Sequence, residues 1–489
     1  MRYWLIFLLA LGGVISPAVR AAALGYDNAR HLLARTSFAA PAAEVETFAQ
    51  FDRDQAAGNL LSWAAPARVV PQTSAPAWVN DAVIAPRQLR EMSTEDRQAM
   101  QRMFNQRAMD LRVWWMQEML TTPSPLSEKM VLFWHNHFVS STQKVRQPQY
   151  MFRQHMLLRR HALGNFGEML HAIARDPAMV IYLDSASNRK GQPNENFARE
   201  LMELFTLGEG HYTERDVKEA ARAFTGSSID PERGEFLFRP AAHDDGTKTV
   251  LGRSGNLDGT AVLDILLAHP RTAEFIAAKL WREFVSPNPD PAEVRRIGAV
   301  FRDSQYDIRA VMRAILTSNA FYDERHRASL IKSPVDLVVG TLRQFQFTTG
   351  DVQPFAITVS QLGQNLFTPP NVKGWPGGEW WINSSTLLAR KQFLDRIFRA
   401  EDMRPGTVMT ANASAAKGGA AAEARQRFLR GMSEVSFDGE RWLRQTGRGD
   451  SNAVARLILA SAPHNALPPE ATGMEAIRRL TQDPAYQLK

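Results

Sequence analysis

Apolar side chains along most of this chain recur three and four residues apart, the spacing that lines one side of a helix. "STEDRQAMQRMFNQRAMDLRVWWMQEMLTT" opens on Ser93, Glu95 and Asp96, which suit a helix start, and Pro123 and Pro125 separate it from a second helix, "LSEKMVLFWHNHFVSS". The same periodicity predicts helices at 150–160, 164–175, 195–207 and 213–224, and again through "DGTAVLDILLAHPRTAEFIAAKLWREFVS", "DPAEVRRIGAVFRDS", "DIRAVMRAILTSNAF" and "SPVDLVVGTLRQF". Nearer the start, two short helices meet at Pro41, with Asp27 or Asn28 as the cap.

One stretch changes period. In "EFLFRPAAHDDGTKTVLG" the alternation of Phe236 and Phe238, set against Thr249 and Leu251 across an Asp- and Gly-rich turn, predicts a β-hairpin near 235–252. The expectation is therefore a mainly α protein, a large multi-helix domain over 24–404 with one small β-hairpin insertion. Residues 405–422, "PGTVMTANASAAKGGAAA", read as a low-complexity linker, and 423–489 as a helical C-terminal tail. No repeat with a period of 20 to 50 residues is present, which excludes a solenoid.

The first 23 residues have their own character. A basic start at Arg2, an apolar run from Tyr3 to Ile15, Pro17, and small residues at Ala21–Ala23 read as a signal peptide, with a retained anchor as the alternative. The run is too short to cross a bilayer comfortably, and nothing later approaches a transmembrane span. The 489 residues include no cysteine, which removes disulfides, thiolate ligands and thiol nucleophiles. A periplasmic or secreted bacterial protein is expected. The formal charge of +7 is mild for this length and dispersed, so nucleic acid is not an expected partner.

"FWHNHF", "NENFARELMELFTLG" followed by "YTERDVKEAARAFTG", "HDDGTKTVLG" and "PPNVKGWPGGEWWINSSTLLAR" together resemble the ordered landmarks of the bacterial domain-of-unknown-function family numbered 1800, from about Tyr26 to about Arg399. One landmark differs, because "TSFAA" at 36–40 stands where members carry Gly-Phe-Gly. The resemblance implies an exported, mostly helical protein of undetermined activity. It also implies a possible protein partner encoded nearby, from a sulfatase-like family.

The residues themselves suggest where chemistry would sit. On the helix at 196–207, Phe197, Leu201, Leu204 and Phe205 share one face, while Asn196, Arg199, Glu200 and Glu203 share another that the helix after Tyr212 would cover. Glu200 and Glu203 would serve as a general acid and base, with Arg199 and Asn196 beside them, or Arg199 would lock them as a structural cluster. Paired with imidazoles, carboxylates also suit a divalent metal, and the candidate ligands are His137, His211, His243 and Asp244. His135 and His137 point roughly 160° apart on a helix, so only His137 joins such a site. Lys248 is a candidate anion contact. Trp375, Trp380 and Trp381, in a Gly-rich loop, would offer flat rings to a glycan or envelope polymer. Three readings remain open: a hydrolase with a carboxylate and histidine site, a non-catalytic scaffold, and a glycan-binding module.

Overall fold

The computed structural model describes residues 22–63, 70–399, 428, 430–432, 434–447 and 450–489. The linker read at 405–422 lies outside them, as does the signal peptide except for Ala22 and Ala23. What is described is mainly α, as expected, with two small antiparallel strand pairs. None of the described helices is long and apolar enough to cross a membrane.

Helix Pro125–His137 runs through the interior and is buried at every position except Asn136. Its sequence explains this, because Met130, Val131, Leu132, Phe133 and Trp134 leave no polar stripe for solvent. Around it pack helices Gly25–Thr36, Thr94–Thr121, Pro148–His161 and Pro334–Gln344. Ser93 caps the second of these by accepting from the Asp96 amide, as its sequence predicts. The first helix starts at Gly25, earlier than a cap at Asp27 or Asn28 would allow, and Asp27 instead pairs with Arg456. Buried charges on the central helix have partners. Glu128 accepts from Trp115 and pairs with Arg159 at 2.5 Å, and Lys129 pairs with Asp336 at 2.5 Å. Removing one partner from such a pair would strand the other, which is far costlier than never having buried it.

At the "TSFAA" loop, Ala39 takes the left-handed conformation at φ 64°. The loop thus keeps a backbone that glycine would adopt more cheaply.

The predicted hairpin is corrected. Strand Phe236–Phe238 pairs with an upstream partner, Ser227–Ile229, in the register Ser228 to Leu237. Lys248–Val250 pairs with Arg253–Gly255 across Leu251 and Gly252, whose φ values of 47° and 77° fit a tight turn with both central residues left-handed. The Asp- and Gly-rich stretch between the two pairs is no hairpin tip. Pro240–Ala242 winds into a short 3₁₀ turn, and Arg222 holds Asp244 down through two hydrogen bonds.

Helices Gly439–Thr446, Ser451–Ile458 and Gly473–Gln482 join the same core. The Trp442 indole donates to the Gln344 carbonyl at 2.8 Å, and Ile331 bridges to Leu488.

Candidate functional site

The stretch predicted as one helix over 195–207 begins as an α-helix at Asn196–Glu200 and widens to a π-helix at Leu201–Thr206. The Leu207 amide reaches back five residues to the Met202 carbonyl at 2.9 Å, and the Thr206 hydroxyl donates to the Leu201 carbonyl at 2.6 Å. Gly208, at φ 83°, then stops the helix in the left-handed conformation that its identity suggested. Carbonyls of a last turn have no partner inside the helix and must find donors elsewhere. Here the donors come from neighbouring helices. Lys279 Nζ donates to the Leu204 carbonyl at 3.1 Å, His137 Nε2 to Phe205 at 3.2 Å, and Arg271 Nε to Leu207 at 3.1 Å.

This arrangement fixes the protonation pattern of His137. A carbonyl only accepts, so Nε2 carries the ring proton, and Nδ1 presents a lone pair to Lys279 Nζ at 2.9 Å. Burial and the nearby amine hold His137 well below the ordinary imidazole range, so it stays neutral. Burial, reinforced by Arg282, pulls the Lys279 amine down to about 7.

Both residues line a cleft of about 530 Å³. Phe133, His137, Lys279 and Arg282 form one wall, and Lys373, Trp375 and the turn Gly377–Trp381 form the other. Lys129, Asp336 and Lys489 also line it, with Asp336 accepting from both amines at 2.5 Å and 2.6 Å. Burial alone would raise the Asp336 carboxyl, but the two amines override it and hold it far below the usual carboxylate range.

The three polar residues of "FWHNHF" have three separate jobs. His135 is buried against His155 at 3.1 Å, and His137 holds Lys279. Asn136 clamps the opposite wall, its Oδ1 accepting from the Trp375 amide at 2.6 Å and its Nδ2 donating to the Trp375 carbonyl at 3.4 Å. That clamp requires glycine at 374. A Cβ there would lie 2.2 Å from Asn136 Oδ1 and 2.8 Å from the Asn136 carbonyl oxygen. Beyond it, Trp375 and Trp381 are buried, while Trp380 is 79% exposed.

The other sequence candidates disperse. Arg199 pairs with Glu195 at 3.1 Å and Glu214 at 2.7 Å, not with Glu200 or Glu203. Asn196 reaches Asp184 at 3.4 Å. Glu203 accepts from the Tyr212 hydroxyl at 3.2 Å and lies 3.8 Å from Lys373, which ties the carboxylate face to the rim of the cleft without placing it on the wall. Partial burial, then Glu203, raises the Glu200 carboxyl. Lys248 is buried, its amine donating to the Gly246 carbonyl at 3.0 Å and to Asn256 at 3.4 Å. The four metal candidates do not converge. His137 has both nitrogens engaged, His243 Nδ1 donates to the Thr225 carbonyl at 2.9 Å, Asp244 is held by Arg222, and His211 is exposed. Among the described residues no three His, Asp or Glu side chains are grouped to hold a metal ion.

Lys279, Arg282, Lys373 and Asp336 escape a reading of the sequence, because a lysine or arginine on an amphipathic helix ordinarily marks the wet side. One signal was available in "AEFIAAKLWREF", where Lys279 falls three residues after Ile276 and four after Phe275, on the flank of the apolar face.

A family model described as "Protein of unknown function (DUF1800)" matches residues 31–488, running on through the C-terminal helices. No curated protein and no solved structure matches the chain.

Proposed function

From its own residues, since it belongs to the DUF1800 family of unknown function, we propose that this chain is an exported bacterial hydrolase that works by proton transfer at the Lys279 amine. One observation carries the reading. Two of the three N–H positions of that amine are taken by the Leu204 carbonyl and His137 Nδ1, which leaves one for the cleft that Lys279 lines. In the neutral amine that position is a lone pair, and in the protonated amine it is an N–H. An amine near 7 interconverts between them at neutral pH, as a general acid and base must. The lone pair takes a proton from water as the oxygen attacks, and the same proton then passes to the leaving group. His137 is a positioning residue, since it orients the amine without facing the reacting bond. Export is supported by the leader at Arg2 to Ala23 and the absence of cysteine.

The test is the pH dependence of acylation by acetic anhydride, followed lysine by lysine with peptide mass mapping. Lys279 should become reactive with a midpoint near 7, well below the ~10.4 of an ordinary lysine. A panel of envelope polysaccharides and peptidoglycan then supplies the activity screen, with Lys279→Met as the inactive control. Titration of Lys279 along with the surface lysines, or hydrolysis undiminished in Lys279→Met, would overturn the assignment.

A further inference from the structure

Trp380 is exposed to 79%, while its neighbours Trp375 and Trp381 are exposed to only 3% and 6%. The turn that carries it is thus anchored on both sides and presents one indole ring to solvent. Two consecutive left-handed glycines, Gly377 at φ 72° and Gly378 at φ 56°, shape that turn, with no atom within 4 Å of where either Cβ would stand. Backbone conformation, not packing, demands glycine there. A large apolar ring held out over a cleft is a costly thing to leave wet, and its flat face matches the C–H face of a sugar.

The charges of the cleft are mixed, with Glu379 an exposed carboxylate beside Trp380 and the cations set further along the walls. Lys129 and Lys489 both pair with Asp336, and Glu283, 3.8 Å from Lys489, supplies the second negative charge. Arg282 has no hydrogen bond or ion pair among the described residues. It stands three positions after Lys279 on helix Pro270–Phe284, and so on the same side of it. From the facing wall, Lys373 makes only loose contacts, 3.8 Å to Glu203 and 3.7 Å to Glu209. The Trp375 indole N–H, buried in that wall, lacks an acceptor. Two under-used cations and an unpaired donor near one exposed ring call for a ligand with both a flat apolar face and negative charge.

We infer that the cleft takes an acidic saccharide, with a sugar ring on Trp380 and its anionic group on Arg282 and Lys373, beside the Lys279 amine. This rests on reading the cleft as the functional site, and it adds the substrate class. Single-stranded nucleic acid shares the chemistry of rings and cations, but its binding grooves carry successive aromatic platforms, and here one ring is exposed.

Binding is measured by tryptophan fluorescence and calorimetry with four probes: tetragalacturonate, a chondroitin sulfate tetrasaccharide, neutral cellotetraose and a thymidine octanucleotide. One or both acidic saccharides should bind at least about tenfold more tightly than cellotetraose, and weaken as salt rises from about 50 to about 500 mM. The two acidic probes separate carboxylate from sulfate recognition. Arg282→Gln and Lys373→Gln should each weaken binding about fivefold or more, and Trp380→Ala about tenfold. All three side chains are exposed, so these variants fold. Equal binding of cellotetraose, tighter binding of the octanucleotide, or unchanged affinity in the three variants overturns the inference. Binding and the Lys279 titration are independent readouts, and this separates the two claims. Acidic saccharide binding with an ordinary Lys279 titration would sink proton transfer alone, and a titration near 7 without such binding would sink the saccharide alone.

Discussion

Substituting Gly374 by alanine should loosen one wall of the cleft at a cost that the geometry lets us work out. At φ 86° an L-residue pays roughly 1–2 kcal/mol for its backbone conformation. Its Cβ would also meet Asn136 twice, at 2.2 Å from Oδ1 and 2.8 Å from the main-chain oxygen. The Oδ1 contact can be relieved by turning the side chain, which surrenders both hydrogen bonds to Trp375 at about 1 kcal/mol each. The main-chain contact cannot be relieved that way, so the backbone must move as well. Against this, alanine restricts the unfolded chain and returns roughly 0.4–1 kcal/mol. The net loss is about 3 kcal/mol. With an unfolding entropy of about 2.1 cal/mol/K per residue over 489 residues, each kcal/mol moves the midpoint by about 1 °C, so Tm should fall by about 3 °C. Calorimetry reads that shift, and acrylamide quenching reads the accompanying exposure of Trp375. The double variant Asn136→Ala/Gly374→Ala sharpens the test. With the Asn136 amide gone, and both of its hydrogen bonds with it, the second substitution should cost about 2 kcal/mol less than it does alone, but not nothing, because the main-chain oxygen remains. A Tm within about 1 °C of wild type for Gly374→Ala, or strict additivity in the double variant, would refute the clamp.

Two further predictions concern residues away from the cleft. Burial, aided by Arg35, holds His31 down at about 3 while its Nε2 donates to the Phe321 carbonyl at 2.9 Å. Its folded value lies below the unfolded ~6.5, so its contribution is complete above about pH 6.5 and is lost as pH falls toward 3, at about 1.4 kcal/mol per unit. The Tm gap between wild type and His31→Gln should therefore narrow by roughly 1–1.5 °C per unit between pH 6 and pH 4, and a constant gap would contradict the buried neutral state. Arg199→Ala removes two ion pairs whose Glu214 carboxylate is largely exposed. It should lower Tm by no more than about 1 °C and leave the Lys279 acylation midpoint where it was, whereas a shift in that midpoint would return Arg199 to the site.

The helical architecture was legible because period and punctuation agreed, as at Ser93 and at the Pro123–Pro125 break. Strand pairing was not. Three-residue strands carry too little alternation to choose a partner, and "SSI" at 227–229 has no apolar pattern to advertise it. The long motif at 194–208 meets the cleft through atoms other than those its letters suggested. Its side chains Arg199, Glu200 and Glu203 drew attention, whereas the cleft is served by the main-chain oxygens of Leu204 and Phe205, which letters do not display. Trp380 stood out as a ring, yet nothing in "GWPGGEWWIN" says which of three indoles stays out of the core. The anchor that fixes the Trp375 backbone, Asn136, lies more than two hundred residues upstream.

The π-helix has a consequence for how this chain can change over time. A π-turn is an α-helix carrying one extra residue, and it is commonly found at functional positions. Because oxygens of the main chain hold Lys279 and His137, substitution at 204 or 205 leaves the two acceptors in place so long as the new side chain packs. Deletion of a single residue from 201–206 would instead close the widened turn into the narrower helix and re-aim the carbonyls within it. Both acceptors would then turn away from the amine and the imidazole. The site is therefore recorded in the reading length of this segment more than in its letters, tolerant of drift and intolerant of one missing codon.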